Sequence, residues 1–432
     1  MAGNGSAERF VARLYGVAAL AHLIGNPAVD FHPAVFGLQA LQWMLAPAAA
    51  WLVVKPGRAP LVATAALVLV TAVVEAPGLG NHWWLMGLAA PVLMIGATGR
   101  SVGAVLRWIL LLAYGFAAFA KLNRDFLEPE VSCAVFFADH ALHSAHLPPA
   151  PRALTGLLPF VVVAIESAVV VLLARPRTRT AGLRLGIAFH GILALDPSPH
   201  FYDFSSVLYF FFAAFADPDV LAALEQQWTT RRRWVALGAL AAVGLFLAYP
   251  QLPLPRVLRW GPVVLFVPFA LWLLRRVRGG AVSLRPPRWS GVVLALVCLN
   301  GVAPYLELKS GTAFSMYANL RVVRGRSNHL VVRRGWPLGD AHDALVRIEA
   351  TEDPGLVHYV DSGWLVPERN VRHYLALVEG AEVTVRTEDG VLRRWGPADA
   401  RRMPLWRERL LLTRAVDSGE RARCQARWLP AH

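Results

Sequence analysis

The sequence predicts an all-α polytopic membrane domain, of about 9–11 transmembrane helices counted at roughly 20 apolar residues each, followed by a small α+β domain. Three observations predict it. The 432 residues are 56% hydrophobic and only 17% charged, whereas a soluble domain carries about 25% charged residues. Residues 10–307 are apolar with short basic punctuations, while 308–432 are rich in Arg, Glu and Asp. The basic residues also alternate from one inter-helix loop to the next. The boundary is therefore drawn at 307, giving a membrane domain over 1–307 and an extracytoplasmic domain over 308–432.

Spanning candidates lie near 10–26, 34–54, 59–77, 83–98, 102–122, 154–174, 179–196, 203–217, 234–250, 257–274 and 289–307. The first, seventh and eighth are the least apolar. Short or Pro-flanked segments can be broken or re-entrant helices lining a cavity. A re-entrant hairpin at the seventh and eighth leaves the downstream topology unchanged, whereas their fusion into one span inverts it. Arg9 and Arg13 precede the first apolar run, and no small-x-small cleavage site leads into a soluble chain, so a retained first helix is expected.

One set of loops carries sixteen basic residues: Lys55, Arg58, Arg100, Arg107, Arg175, Arg177, Arg179, Arg184, Arg231, Arg232, Arg233, Arg275, Arg276, Arg278, Arg285 and Arg288. The intervening set carries five: Lys121, Arg124, Arg152, Arg256 and Arg259. The positive-inside rule then places the N-terminus in the cytoplasm and the C-terminal domain outside. The formal net charge of +14 is explained by these loops. No zinc finger or basic helix points to nucleic acid, and none is expected as a partner.

His22, His32, His82, His140, His143, His146, His190 and His200, eight of the thirteen histidines, fall on the outer side together with Lys121. The charge count made no use of histidine, so a site opening outward is indicated twice. Cys133, Cys298 and Cys424 are isolated and form no CxxC pair or disulfide framework. A Cys133–Cys424 bridge requires both to lie outside, and spacing alone does not favour it. In the tail, residues 382–394 read as two strands around the Asp389-Gly390 turn, and 369–377 reads as a short helix.

Lys121 ends an apolar stretch, where an amine is costly unless it faces a cavity or a partner. It either snorkels to the interface or sits buried among Phe116, Phe119, Leu122 and Phe126, an environment that favours the neutral amine of a general base. Asp125 nearby would oppose that if it faced the amine. His82, after Asn81 and before Trp83-Trp84, reads as an interfacial or site histidine. His190, inside an apolar run, must find a hydrogen-bond partner. Asp139, His140, His143 and His146 resemble a metal cluster, but His146 lies well round the helix from His140 and zinc sites use longer spacings or a cysteine. No metal site is assigned. Ser205, Ser206 and Tyr209 open an outward-facing segment, where they cap a helix or hydrogen-bond a ring oxygen.

Asn81-His82-Trp-Trp-Leu, Phe119-Ala-Lys121-Leu-Asn-Arg-Asp125-Phe, Phe189-His190, Phe204-Ser205, and Pro304-Tyr305 through Phe314-Ser315-Met316 occur in an order that resembles the vitamin K-dependent gamma-carboxylase superfamily. The likeness is greater to its bacterial horizontally transferred transmembrane (HTTM) domain proteins, and covers most of 1–332. It implies a bacterial inner membrane or its equivalent. It also implies that Lys121 deprotonates a reduced quinone, vitamin K hydroquinone or menaquinol, with His82 assisting and Asn81, His190, Ser205 and Tyr209 beside the ring. Oxygen adds to the quinol anion, and the strong base so formed removes a proton from a glutamate side chain, which captures carbon dioxide. An extracytoplasmic peptide or protein would be the substrate.

The chain departs from the family at three points. Ala120 replaces the first of two paired lysines, Asn123 stands where the family has Asp, and about one hundred and twenty residues replace a large lumenal region, few for an equivalent domain. The quinol half of the chemistry therefore carries over better than the glutamate half. Two other classes compete: a quinone- or lipid-binding membrane protein without turnover, or an assembly partner; and a histidine-metal membrane oxygenase, which needs several converging His-rich boxes where this chain shows one poor one.

Overall fold

The computed structural model describes residues 5–25, 38–76, 80–99, 101–196, 201–228, 238, 256–315 and 317–425. Apart from Gly238, the expected span at 234–250 lies outside the described residues, as do His32 and His200.

The N-terminal part is helical: α1 Gly5–Gly25, α2 Leu38–Val54, α3 Arg58–Val74, α4 Asn81–Gly96, α5 Gly103–Ala120, α6 Arg124–Leu127, α7 Cys133–Ser144, α8 Arg152–Ala174, α9 Arg179–Leu193, α10 Phe201–Ala213, α11 Pro218–Trp228, α12 Arg256–Arg276 and α13 Gly291–Val302. The long helices coincide with the sequence-expected spans to within a few residues, because apolar runs here end at Pro, Gly and Arg. Two of them, α5 and α8, are long and apolar enough to cross a membrane; α2, α3, α10 and α13 are apolar but shorter.

Helix α10 is the axis of the bundle. It packs against α1, α4, α5, α9 and α12, and every residue in it is buried except Phe204, which is half-buried. A helix that is apolar on all sides belongs in a core, and Phe-Ser-Ser-Val-Leu-Tyr-Phe-Phe-Phe is such a run. Its 13 residues reach about 20 Å at 1.5 Å per residue, short of the ~30 Å of a hydrocarbon core. α9 runs antiparallel to it: the Ser205 hydroxyl donates to the His190 carbonyl at 2.8 Å, and the Tyr209 hydroxyl to that of Ile187 at 2.9 Å. Gly186 permits the approach, since a Cβ there would stand 2.3 Å from the Phe212 ring.

Three buried arginines gather the other end of the bundle. Arg13 makes a bidentate pair with Glu225, both contacts 2.8 Å, and donates to the Val53 carbonyl at the end of α2. Arg107 donates to Ala214, just past α10. Arg179 donates to Leu173 near the end of α8 and to Gly280. Cations on helix C-terminal carbonyls satisfy the last unpaired acceptors and oppose the helix dipole. Two of the sixteen orientation residues, Arg107 and Arg179, therefore also have a packing role.

The C-terminal part holds β1 Val322–Val323, β2 Arg326–Ser327, β3 Leu345–Thr351, α14 Val357–Ser362, β4 Leu365–Pro367, α15 Glu368–Leu377, β5 Val383–Arg386, β6 Leu392–Trp395 and α16 Leu405–Leu410. β3 to β6 form an antiparallel sheet in the order β4-β3-β5-β6. Its core contains Ile348, Tyr359, Val366, Tyr374, Val385 and Trp395. The expected hairpin and helix are β5–β6 and α15. Gly390 takes φ +83° in the turn, the left-handed conformation that glycine adopts without a Cβ penalty.

The segment between 303 and 335 knits the two parts together. Asn123 donates to the carbonyls of Ala120 and Ala318, two bonds that an aspartate could not donate, which gives the Asn a local reason. Asp125 accepts from Asn328 at 2.7 Å and from the Ala422 amide at 3.0 Å. Asp125 therefore clips the tail to α6. A disulfide joins Cys133 to Cys424 across 291 positions, so the expectation drawn from spacing is corrected: folding, not sequence proximity, brings the two thiols together.

Candidate functional site

Lys121 closes α5 as its C-terminal cap. Its stem is buried and its ammonium stands 5.9 Å from the Phe126 ring centroid. Asp125 is occupied by the tail, and the partner of the amine is Glu166, whose two oxygens lie 2.8 and 3.1 Å from Nζ. Glu166 lies well inside α8, the most apolar of the long helices, much of whose surface faces outward. A carboxylate there is expensive without a partner. Glu166 is absent from the sequence-expected site, although a single acid inside Ala-Ile-Glu166-Ser-Ala-Val-Val-Val marks it.

His190 is 1% exposed. Its Nε2 bonds to the Tyr114 hydroxyl, about two turns back along α5 from Lys121. Its Nδ1 has no hydrogen-bond partner among the described residues. Phe204 packs edge-on to His190 at 5.0 Å and against His82 at 5.7 Å. The half-buried residue of α10 is thus flanked by the two site histidines.

His82 faces a second cluster. Its Nε2 is 2.7 Å from Asp203 Oδ2, and His22 Nδ1 is 3.0 Å from the same oxygen. His22 Nε2 is 2.8 Å from Glu75 Oε2, and Gln42 donates to Glu75 Oε1 at 3.3 Å. His22 stacks on Trp83 at 3.7 Å with 8° between the rings. Asn81 opens α4 and is buried; its Oδ1 has no partner among the described residues. His22 and Lys121 end their helices, and His82 and Asp203 begin theirs, so the outer positions expected from charge alternation gather at one end of the bundle, opposite the arginines.

Ser205 and Tyr209 donate their hydroxyl protons to α9 carbonyls, polar ties between the two antiparallel helices. Ser206 bonds back to the Asp203 carbonyl. His140 pairs with Asp196 at 2.8 Å, and His146 follows the end of α7 with φ 57°. Two clefts are described, one beside Cys133 and Tyr317, the other, of about 380 Å³, between Asp340 and Arg407. Neither is lined by Lys121, His82 or His190.

A second buried amine comes from the connecting segment. Lys309 donates to Thr312 Oγ1 at 3.2 Å and lies 5.0 Å from the Trp84 ring. Burial holds this amine down to about 7. Nothing in its surroundings, Leu308 and Ser310, announced it in the sequence.

Comparison of the chain with protein-family models, with curated proteins and with solved structures finds no match.

Proposed function

We propose that the chain is a multi-pass membrane enzyme that deprotonates a reduced quinone at the histidine-bearing end of its helical bundle, with chemistry of the gamma-carboxylase type. The observation that carries the reading is the Lys121–Glu166 pair, formed between the two helices that are long and apolar enough to span a membrane. An intramembrane ionisable pair marks a reaction or transport site by default.

Several features support the membrane setting. Exposed apolar side chains recur on the lengthwise faces of the helices: Leu157 and Phe160 on α8, Leu265 on α12, Val292 on α13 and Trp51 on α2. Contiguous apolar exposure of this kind calls for lipid or a partner. The Cys133–Cys424 disulfide fits an oxidising compartment, on the side where the charge alternation puts the C-terminal domain. The N-terminus is then cytoplasmic.

A reduced quinone would supply the electrons, and its deprotonation opens it to oxygen. The protein's part is proton management. Passage of a proton from Lys121 to Glu166 along the 2.8 Å contact leaves an amine beside a carboxylic acid. That amine accepts the quinol proton. His190, whose Nδ1 has no partner among the described residues, takes a hydrogen bond from the quinol ring beside Phe204, and His82 packs on the same phenyl ring. The residue that accepts carboxylation, or another oxygen-dependent modification, belongs to an extracytoplasmic peptide or protein. A non-catalytic quinone-binding protein is the second reading; it leaves Glu166 without a task.

Quinol oxidation by wild type, Lys121→Arg and Lys121→Ala in one detergent decides between them. Arginine keeps the ion pair to Glu166 but stays protonated, so Lys121→Arg should fold and lose turnover. Wild-type turnover in Lys121→Arg would end the reading.

A further inference from the structure

The geometry points to a metal site: we infer that His22, His82 and Asp203 bind one divalent first-row transition-metal ion, with Glu75 orienting His22 from its far nitrogen. The inference rests on this side-chain cluster alone and stands whether or not Lys121 works on a quinol.

The donors converge. One ligand atom from each of the three residues lies within 4.8 Å of the others. Nitrogen and oxygen donors sit roughly 2.0–2.2 Å from zinc-sized ions, so two donors on one ion can be at most about 4.3 Å apart. Two separations already fall within that limit, 3.0 Å from His22 Nδ1 and 2.7 Å from His82 Nε2 to Asp203 Oδ2. Side-chain adjustments of about half an ångström bring the set onto a single ion.

The support around the donors is that of a metal-binding imidazole. A ligating histidine usually donates its other N–H to a carboxylate, which fixes the tautomer and raises the basicity of the ligand nitrogen. His22 is so arranged, with Nε2 on Glu75 Oε2 at 2.8 Å. Glu75 is itself held by Gln42 at 3.3 Å. The stack on Trp83 at 3.7 Å fixes the ring plane.

The composition sets the class of ion. Two imidazoles and one carboxylate suit zinc, iron(II) or manganese(II), and exclude calcium, which prefers six to eight oxygens. Among the described residues three protein ligands converge, and a tetrahedral ion held by three has one further position. His22 and Asp203 are 1% and 0% exposed, whereas the His82 side chain keeps 12% exposure. The cluster is therefore most accessible on the His82 side, beside Phe204. None of the three residues is close in sequence to another, so no His-rich box announces the site.

The test uses the full chain, purified in detergent without a histidine tag, treated with a chelator, and titrated with Co²⁺ or Zn²⁺. Expected are one ion per chain, ligand-field bands of Co²⁺ in the visible, and an absorption-edge spectrum with nitrogen and oxygen ligands and imidazole scattering. His82→Ala should remove the bands. Glu75→Gln should keep the stoichiometry and weaken binding about 10–100-fold. His140→Ala should change nothing. Zn²⁺ should also raise the melting temperature of the chelator-treated wild type, a readout that needs no variant. Absence of that rise together with sub-stoichiometric Co²⁺, or equal Co²⁺ uptake by wild type and His82→Ala, would overturn the inference.

Discussion

Removing Glu166 tests whether the buried pair is as tightly coupled as its geometry says. The contacts of 2.8 and 3.1 Å correspond to roughly 6 kcal/mol of Coulomb attraction at an effective dielectric of about 20. Desolvation of both ions offsets most of it, so the pair contributes little net stability compared with apolar groups of the same volume. Glu166→Leu alone leaves a buried ammonium with the Phe126 ring at 5.9 Å, a contact worth about 0.5–2 kcal/mol. The expected loss is about 3–5 kcal/mol. Lys121→Met with Glu166→Leu should recover nearly all of it, since neither charge is then buried. Thermal or detergent unfolding of the four proteins gives the coupling energy from the double-mutant cycle. A coupling below about 1 kcal/mol, typical of exposed pairs, would show that the pair is solvent-screened. All three variants should be inactive in quinol oxidation, which separates the stability role from the chemical one.

Three further outcomes are expected. Cys133→Ser with Cys424→Ser should cost about 2–5 kcal/mol and expose the 410–425 tail to protease; alkylation in denaturant without reductant should mark Cys298 alone in the wild type, and labelling of all three cysteines would refute the bridge. The Lys309 amine titrates near 7 in the folded chain against 10.5 otherwise. Between those values the unfolded chain holds a proton that the folded chain lacks, so stability falls as pH drops from about 10.5 to 7 and levels off below. Lys309→Met should then be more stable than wild type by of order 2–5 kcal/mol at pH 7 and equal to it above about pH 10.5, and a difference independent of pH in melting curves would refute the burial argument. Asp389→Cys should react with an impermeant maleimide in whole cells; labelling only after lysis would place the C-terminal domain in the cytoplasm.

The sequence by itself determined the local elements. Helix extents followed from apolar runs punctuated by Pro, Gly and Arg, and the 382–394 hairpin from alternation around Asp389-Gly390, because both patterns are written in neighbouring residues. It also set which helix ends bear histidine and which bear arginine. Only the tertiary structure decided the partners. Lys121 faces Glu166, 45 positions away, and not Asp125; His82 meets Asp203 at a separation of 121 and His22 meets it at 181; Cys133 reaches Cys424 across 291. Ser205 and Tyr209 looked available for a ligand because nothing local showed that the adjoining α9 carbonyls would take their protons. A residue's partner is chosen by which helix faces pack together, and packing depends on the volumes of side chains throughout the bundle, as Gly186 against Phe212 illustrates. Period and composition carry the former information in short windows, and no window contains the latter.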